Sequence, residues 1–129
     1  MNLEGRKIIV NKSLAGLKAM LQHPEGYRDI MPEGLRKFEP LRNGFRFSLR
    51  GMPEIALNIN EVTDKEVVLS SGDSNLDFSL KGEMNPLSET QTEIQLFFKG
   101  KFNPFIKMMV EKPLQNFINT LTDNIEKSI

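Results

Sequence analysis

Residues 103–129 read NPFIKMMVEKPLQNFINTLTDNIEKSI, a single long amphipathic helix. Asn103 supplies an N-cap oxygen, and Pro104 takes the first helical position, where its missing N–H costs nothing. At 100° per residue, Leu114, Phe117, Ile118, Leu121 and Ile125 fall within about 100° of one another, the width of a core-facing stripe. Ile106 and Val110 extend that stripe upstream, whereas Phe105, Met108 and Met109 project to nearly the opposite side. Pro113 lies between the halves and removes one helical hydrogen bond, which predicts a kink or break near Met109 to Pro113. A stripe of this kind needs an apolar surface to cover, and the preceding residues provide one.

From Leu35 onward the hydrophobic period is two. Phe45, Phe47 and Leu49 alternate with Arg46, Ser48 and Arg50 before a turn at Gly51-Met52-Pro53. Ile55, Leu57 and Ile59 repeat the pattern, and Val67 and Leu69 continue it after a turn around Thr63 to Lys65. Following Gly72-Asp73-Ser74, Leu76, Phe78, Leu80 and Met84 oppose Asp77, Ser79, Lys81 and Glu83, and Asn85-Pro86 ends the strand. Thr92, Ile94, Leu96, Phe98 and Phe102 form the last inward set, opposed by Glu93, Gln95, Phe97 and Lys99. Alternation of this kind predicts an antiparallel sheet with one solvated face. Upstream, Leu3 to Asn11 predicts a first strand, although the consecutive Ile8, Ile9 and Val10 leave its inward face open. Ser13 caps a short helix through about Gln22, with Leu14, Leu17 and Leu21 on one side and Gly16 weakening it. His23-Pro24-Glu25-Gly26 breaks that helix, and Tyr27, Ile30 and Met31 predict another turn or two before Pro32 and Gly34.

The predicted class is therefore α+β, in one domain spanning 1–129. It has a strand, two short helices, an antiparallel sheet of about six further strands, and the long helix packed across the concave face. A chain of 129 residues buries roughly two thirds of the surface its unfolded form exposes, enough for one core. It has no cysteine, which removes disulfides, thiolate metal sites and cysteine nucleophiles together. Seventeen basic residues balance seventeen acidic ones without a run of five or more of either sign, which makes nucleic acid and anionic membrane surfaces weak candidates as partners. Glu4, Arg6 and Lys7 interrupt anything resembling a leader, and no apolar run approaches the roughly 18 residues of a membrane span. The expectation is a cytoplasmic protein without integral membrane association.

Catalytic signals are sparse. His23 is the sole histidine and sits in a loop between Gln22 and Pro24, without a second histidine or a cysteine to act with it. Glu61, Asp64 and Glu66 cluster near one turn, and read as a solvated turn rather than a cation loop. No glycine-rich phosphate loop, nucleophile elbow or zinc spacing is present, so no catalytic residue, metal ligand or cofactor is assigned. Tyr27, the only tyrosine, either packs with its hydroxyl at an edge or points that hydroxyl into a cavity. Nine phenylalanines and seven methionines remain. Phe45, Phe47, Leu57, Phe78, Leu80, Leu96 and Phe98 are expected to line the concave face, with Met109, Phe117 and Leu121 facing them from the helix. Dry packing and an apolar ligand cavity both fit that inventory.

The element order resembles the helix-grip fold of the START and polyketide cyclase superfamily, also called SRPBCC. Ser13 with Leu17, Met20 and Leu21 resembles the start of its first helix, and Tyr27 with Ile30-Met31-Pro32 resembles the aromatic-to-proline segment of its second. The turn Arg50-Gly51-Met52 and the tail Asn103-Pro104-Phe105-Ile106-Lys107-Met108-Met109, then Lys112-Pro113-Leu114-Gln115, are similar to a small bacterial branch whose members are mostly uncharacterised. Lys18 departs from the aromatic residue common in the first helix. The resemblance implies binding of a lipid, sterol, polyketide or other hydrophobic small molecule, and catalysis in only some members. Three readings follow. One is a noncatalytic binding or carrier domain for an apolar or amphipathic small molecule. Another is a cyclase-like or dehydratase-like enzyme in the same pocket. The third is an interaction module, such as a homodimer through Phe105 and Met108.

Overall fold

In the computed structural model, which describes residues 1–32, 37–48, 54–72 and 77–129, eleven elements follow one another in the expected order. Strands β1 (Asn2–Glu4) and β2 (Ile8–Val10) precede helix α1 (Leu14–Leu21) and a 3-10 helix at Pro24–Ile30. Six further strands come next: β3 (Lys37–Pro40), β4 (Gly44–Ser48), β5 (Ile55–Val62), β6 (Glu66–Ser71), β7 (Asp77–Pro86) and β8 (Thr92–Lys101). The chain then closes with α2 (Pro104–Ser128). The expected inward positions Leu49 and Leu76, Gly34, the turn Gly51-Met52-Pro53, and Asp73 and Ser74 lie outside the described residues.

All pairings are antiparallel, in the order β1-β8-β7-β6-β5-β4-β3, with β2 also on β8. The period-two reading places the core correctly. Phe45, Phe47, Ile55, Leu57, Val67, Leu69, Leu80, Met84, Ile94, Leu96 and Phe98 are all buried. α2 lies over them and buries Leu114, Phe117, Ile118, Leu121, Thr122 and Ile125.

Two local expectations need correction. The first strand is not continuous from Leu3 to Asn11. It divides into two short pieces because Gly5 lies directly beneath α2, where a Cβ would stand 2.9 Å from Thr122 Oγ1 and 3.2 Å from Ile118 Cγ2. The next residue, Arg6, leaves the sheet and pairs with Asp123 and Glu126 at 2.8 and 2.9 Å. Within β2 the ambiguity resolves, since Ile8 and Val10 are buried and Ile9 faces outward. The second correction concerns the break expected in α2, since the helix continues through Pro113 for 25 residues. The proline removes the bond that its own nitrogen would have donated, and the buried stripe on the C-terminal side holds the helix together. At its start, the Asn103 side chain accepts from Ile106 N at 2.9 Å, as an N-cap should.

Candidate functional site

The inward positions of β7 are Phe78, Leu80, Gly82 and Met84, and the third has no side chain. Gly82 pairs with Val67 on one side and Leu96 on the other, in the middle of the concave face. A Cβ built there would meet only Leu96 Cδ2, at 3.4 Å. Around this gap lies a cavity of about 60 Å³. Its floor is Val67, Leu69, Leu80, Gly82, Met84, Ile94 and Leu96 from β6, β7 and β8. Leu17 and Leu21 of α1 form one wall together with Tyr27, Ile30 and Met31, and Leu121, Ile125 and Ile129 form the wall on the α2 side. A water needs about 10–15 Å³ on this scale, so the space would admit about four to six, yet a lining this apolar favours staying dry.

Polar groups near the cavity are committed elsewhere. The Tyr27 hydroxyl donates to Leu21 O at 2.6 Å, and burial raises its pKa above the ordinary phenol value. Asn124 Nδ2 donates to Ile30 O and Met31 O, each at 3.0 Å, which ties the end of the 3-10 helix to α2. Across the opposite rim, Lys18 Nζ donates to Asp64 Oδ1 at 2.6 Å and links α1 to the β5–β6 turn. That pair gives the departing Lys18 a role, and it accounts for one member of the Glu61, Asp64 and Glu66 cluster. Glu66 lies 3.9 Å from Lys81 Nζ, and Glu61 is exposed. His23 is an exposed residue at the start of the 3-10 helix. Among the described residues, no group of three His, Cys, Asp or Glu side chains could hold a metal ion.

The ten sequence-predicted ligand contacts are scattered by the fold. Leu80, Leu96 and Leu121 lie on the cavity wall. Phe45, Phe47 and Phe117 instead form a ring stack with Tyr27, at centroid spacings of 4.9 Å (Tyr27–Phe45), 5.9 Å (Phe45–Phe47) and 5.3 Å (Phe47–Phe117). Leu57 is buried and pairs with Phe45 across β4 and β5. Phe78 and Phe98 stack at 5.4 Å and continue to Phe102, filling the grip near the start of α2. Met109 is outside the grip altogether, 62% exposed. The aromatic rings thus fill space, and the opening lies in the aliphatic half, beneath α1 and the C-terminal turns of α2. Gly82 was the available signal, because a glycine at an inward strand position removes a wall. Leu17 and Leu21, already on one side of α1, pointed toward the same place.

No family model matches the sequence, and no curated protein matches it. Solved structures do. A START superfamily protein from Mycobacterium smegmatis is 12% identical, with 99% of each chain covered and a TM-score of 0.63. Norcoclaurine synthase from Thalictrum flavum, in complex with dopamine and hydroxybenzaldehyde, is 13% identical over 99% of this chain and 85% of the other, with a TM-score of 0.70. The Aha1 dimer from Colwellia psychrerythraea is 12% identical over 98% and 96%, with a TM-score of 0.63. At these identities the likeness is one of fold, and the chain has the START-like helix-grip fold. No helix among the described residues is long and apolar enough to cross a membrane.

Proposed function

We propose that this helix-grip domain is a noncatalytic binding or carrier module for an apolar or amphipathic small molecule, held between the sheet and α2 in the aliphatic half. The observation that carries the reading is the cavity at Gly82, walled almost wholly by aliphatic and methionine side chains. A site for a small organic molecule usually measures ~300–1,000 Å³. Binding therefore requires the walls to move apart. Met31 and Met84 suit that demand, because unbranched thioethers re-pack at low cost. The α1 wall is also short and joined to the β5–β6 turn by one solvent-facing ion pair.

The enzyme reading would need ionisable groups converging on the cavity. Tyr27 is the one such side chain on the wall, and its proton is engaged with Leu21 O. The complex of norcoclaurine synthase with two small aromatic molecules supports small-molecule binding as a use of this architecture. Native mass spectrometry of the protein purified from its own host, followed by organic extraction, tests the proposal. An apolar adduct released by solvent is the expected result. A protein of bare sequence mass, with nothing in the extract, would remove the carrier reading.

A further inference from the structure

Lys18 stands beside the cavity without lining it. At 100° per residue it falls about 40° from Leu14 and about 60° from Leu21, on the flank of the α1 side that forms the cavity wall. Its ammonium crosses to Asp64 in the β5–β6 turn, at 2.6 Å. That turn leads into Val67 on the cavity floor, and Met84 N, also of the floor, donates to Lys65 O at 2.8 Å. The Lys18–Asp64 pair therefore bridges the seam between the α1 wall and the sheet. Among the described residues no backbone hydrogen bond joins α1 to that turn. The two partners are held unequally. The Lys18 side chain is 29% exposed, so most of it is packed in place. Asp64 is 76% exposed and engages nothing else among the described residues, so it swings into water at little cost. The nearest other cations on the helices are turned away or engaged. Lys12 lays its stem against Gly16 on the outer side of α1, and Arg28 pairs with Glu25. Lys127 follows Ile125 by two residues and so faces away from the wall.

We propose, resting on the carrier reading above, that the molecule carried is a single-chain amphiphile with a carboxylate head. Its tail fills the aliphatic space beneath α1, and its head takes the place of Asp64 on Lys18 at the seam. The lining offers a polar group no free partner, since the Tyr27 hydroxyl is engaged with Leu21 O. A head drawn inside would lose its hydration without compensation, so it stays at the rim. At the rim Lys18 already holds a carboxylate at hydrogen-bond distance. An incoming carboxylate keeps the charge and the charge-assisted bond, and it releases Asp64 to solvent. A neutral head has no such exchange to make. A phosphate would bring additional negative charge that one ammonium leaves unbalanced. The exchange also frees α1 from the β5–β6 turn, which lets the wall move outward as the tail enters. Entry and recognition are thus the same event, made at the seam.

Calorimetric titration of the whole protein with octanoate and with 1-octanol, at neutral pH, tests it. Both should bind. Lys18→Met should weaken octanoate about tenfold and leave octanol within about twofold. Asp64→Asn, which frees Lys18, should tighten octanoate about threefold. Lys18→Arg, which keeps the cation, should bind octanoate within about threefold of the parent. The opposite signs of the first two variants separate a head-group role from a purely structural ion pair, whose loss from either side would act alike on both probes. Circular dichroism of the three variants should match the parent, because the pair lies at the rim and not in the core. Octanol binding without octanoate binding, octanoate binding indifferent to Lys18→Met, or octanoate binding weakened by Asp64→Asn would each overturn this inference and leave the carrier reading standing. If neither probe binds, the carrier reading itself fails and this inference falls with it.

Discussion

Replacing Gly82 by alanine places one methyl group where the concave face has a gap. The new Cβ would meet a single heavy atom, Leu96 Cδ2 at 3.4 Å, an ordinary van der Waals distance, and the glycine needs no left-handed backbone that would strain a side chain. Burying the methyl contributes about 0.8 kcal/mol. Loss of glycine's freedom in the unfolded chain contributes about 0.4–1 kcal/mol more. The variant should therefore be stabilised by about 1–2 kcal/mol, or roughly 3–8 °C in Tm. Thermal unfolding followed by circular dichroism measures it, with urea unfolding as a check. Gly44→Ala is the opposed control, because a Cβ there would stand 2.0 Å from Leu57 O and force β4 from β5. It should lose at least about 3 kcal/mol. If Gly82→Ala left Tm unchanged or lowered it, the space beneath α1 would not exist as described, and the proposed site would go with it.

Other consequences follow from particular contacts. Asn103→Ala removes the bond to Ile106 N and should cost about 1 kcal/mol, seen as a lower urea midpoint. Phe47→Ala empties the centre of a ring stack that runs from Tyr27 to Phe117 and should cost about 3–5 kcal/mol by the same assay. In acid, hydrogen bonds from Arg6 and Lys18 hold the Glu126 and Asp64 carboxyls below their ordinary values of 4.5 and 3.8. Folded values below unfolded ones mean that these groups stabilise fully above about pH 4.5 and lose that effect as the pH falls through the folded values. Tm should be level in this respect from about pH 7 to about pH 5 and then decline, with a shallower decline in the double variant Glu126→Gln, Asp64→Asn.

The fold was legible because its signals are periodic. A change from period two to the helical period after Phe102, with Asn103 and Pro104 marking the boundary, is read directly from residue order. The split of the first strand was not, since it depends on how closely Gly5 lies beneath Thr122 and Ile118, residues more than a hundred positions away. The cavity was harder still. Alternation identifies the inward face of each strand but not the volume left between two faces. Phenylalanines were the natural choice for a lining, yet ring stacking makes them efficient filler, as Phe47 on Phe117 and Phe78 on Phe98 demonstrate. The gap instead follows from a missing side chain at Gly82. Met109 is exposed for a simpler reason: the wheel already placed it on the side of α2 away from the stripe.

The central claim is that the grip opens in its aliphatic half and binds an apolar molecule there. Methyl-resolved NMR with benzene as the probe addresses it most directly. The account predicts intermolecular contacts from benzene to the methyls of Leu17, Leu96 and Ile125, weakened by Gly82→Leu, with Leu57 and Ile118 silent. Contacts to Leu57 and Ile118 instead, or none at saturating probe, would contradict it.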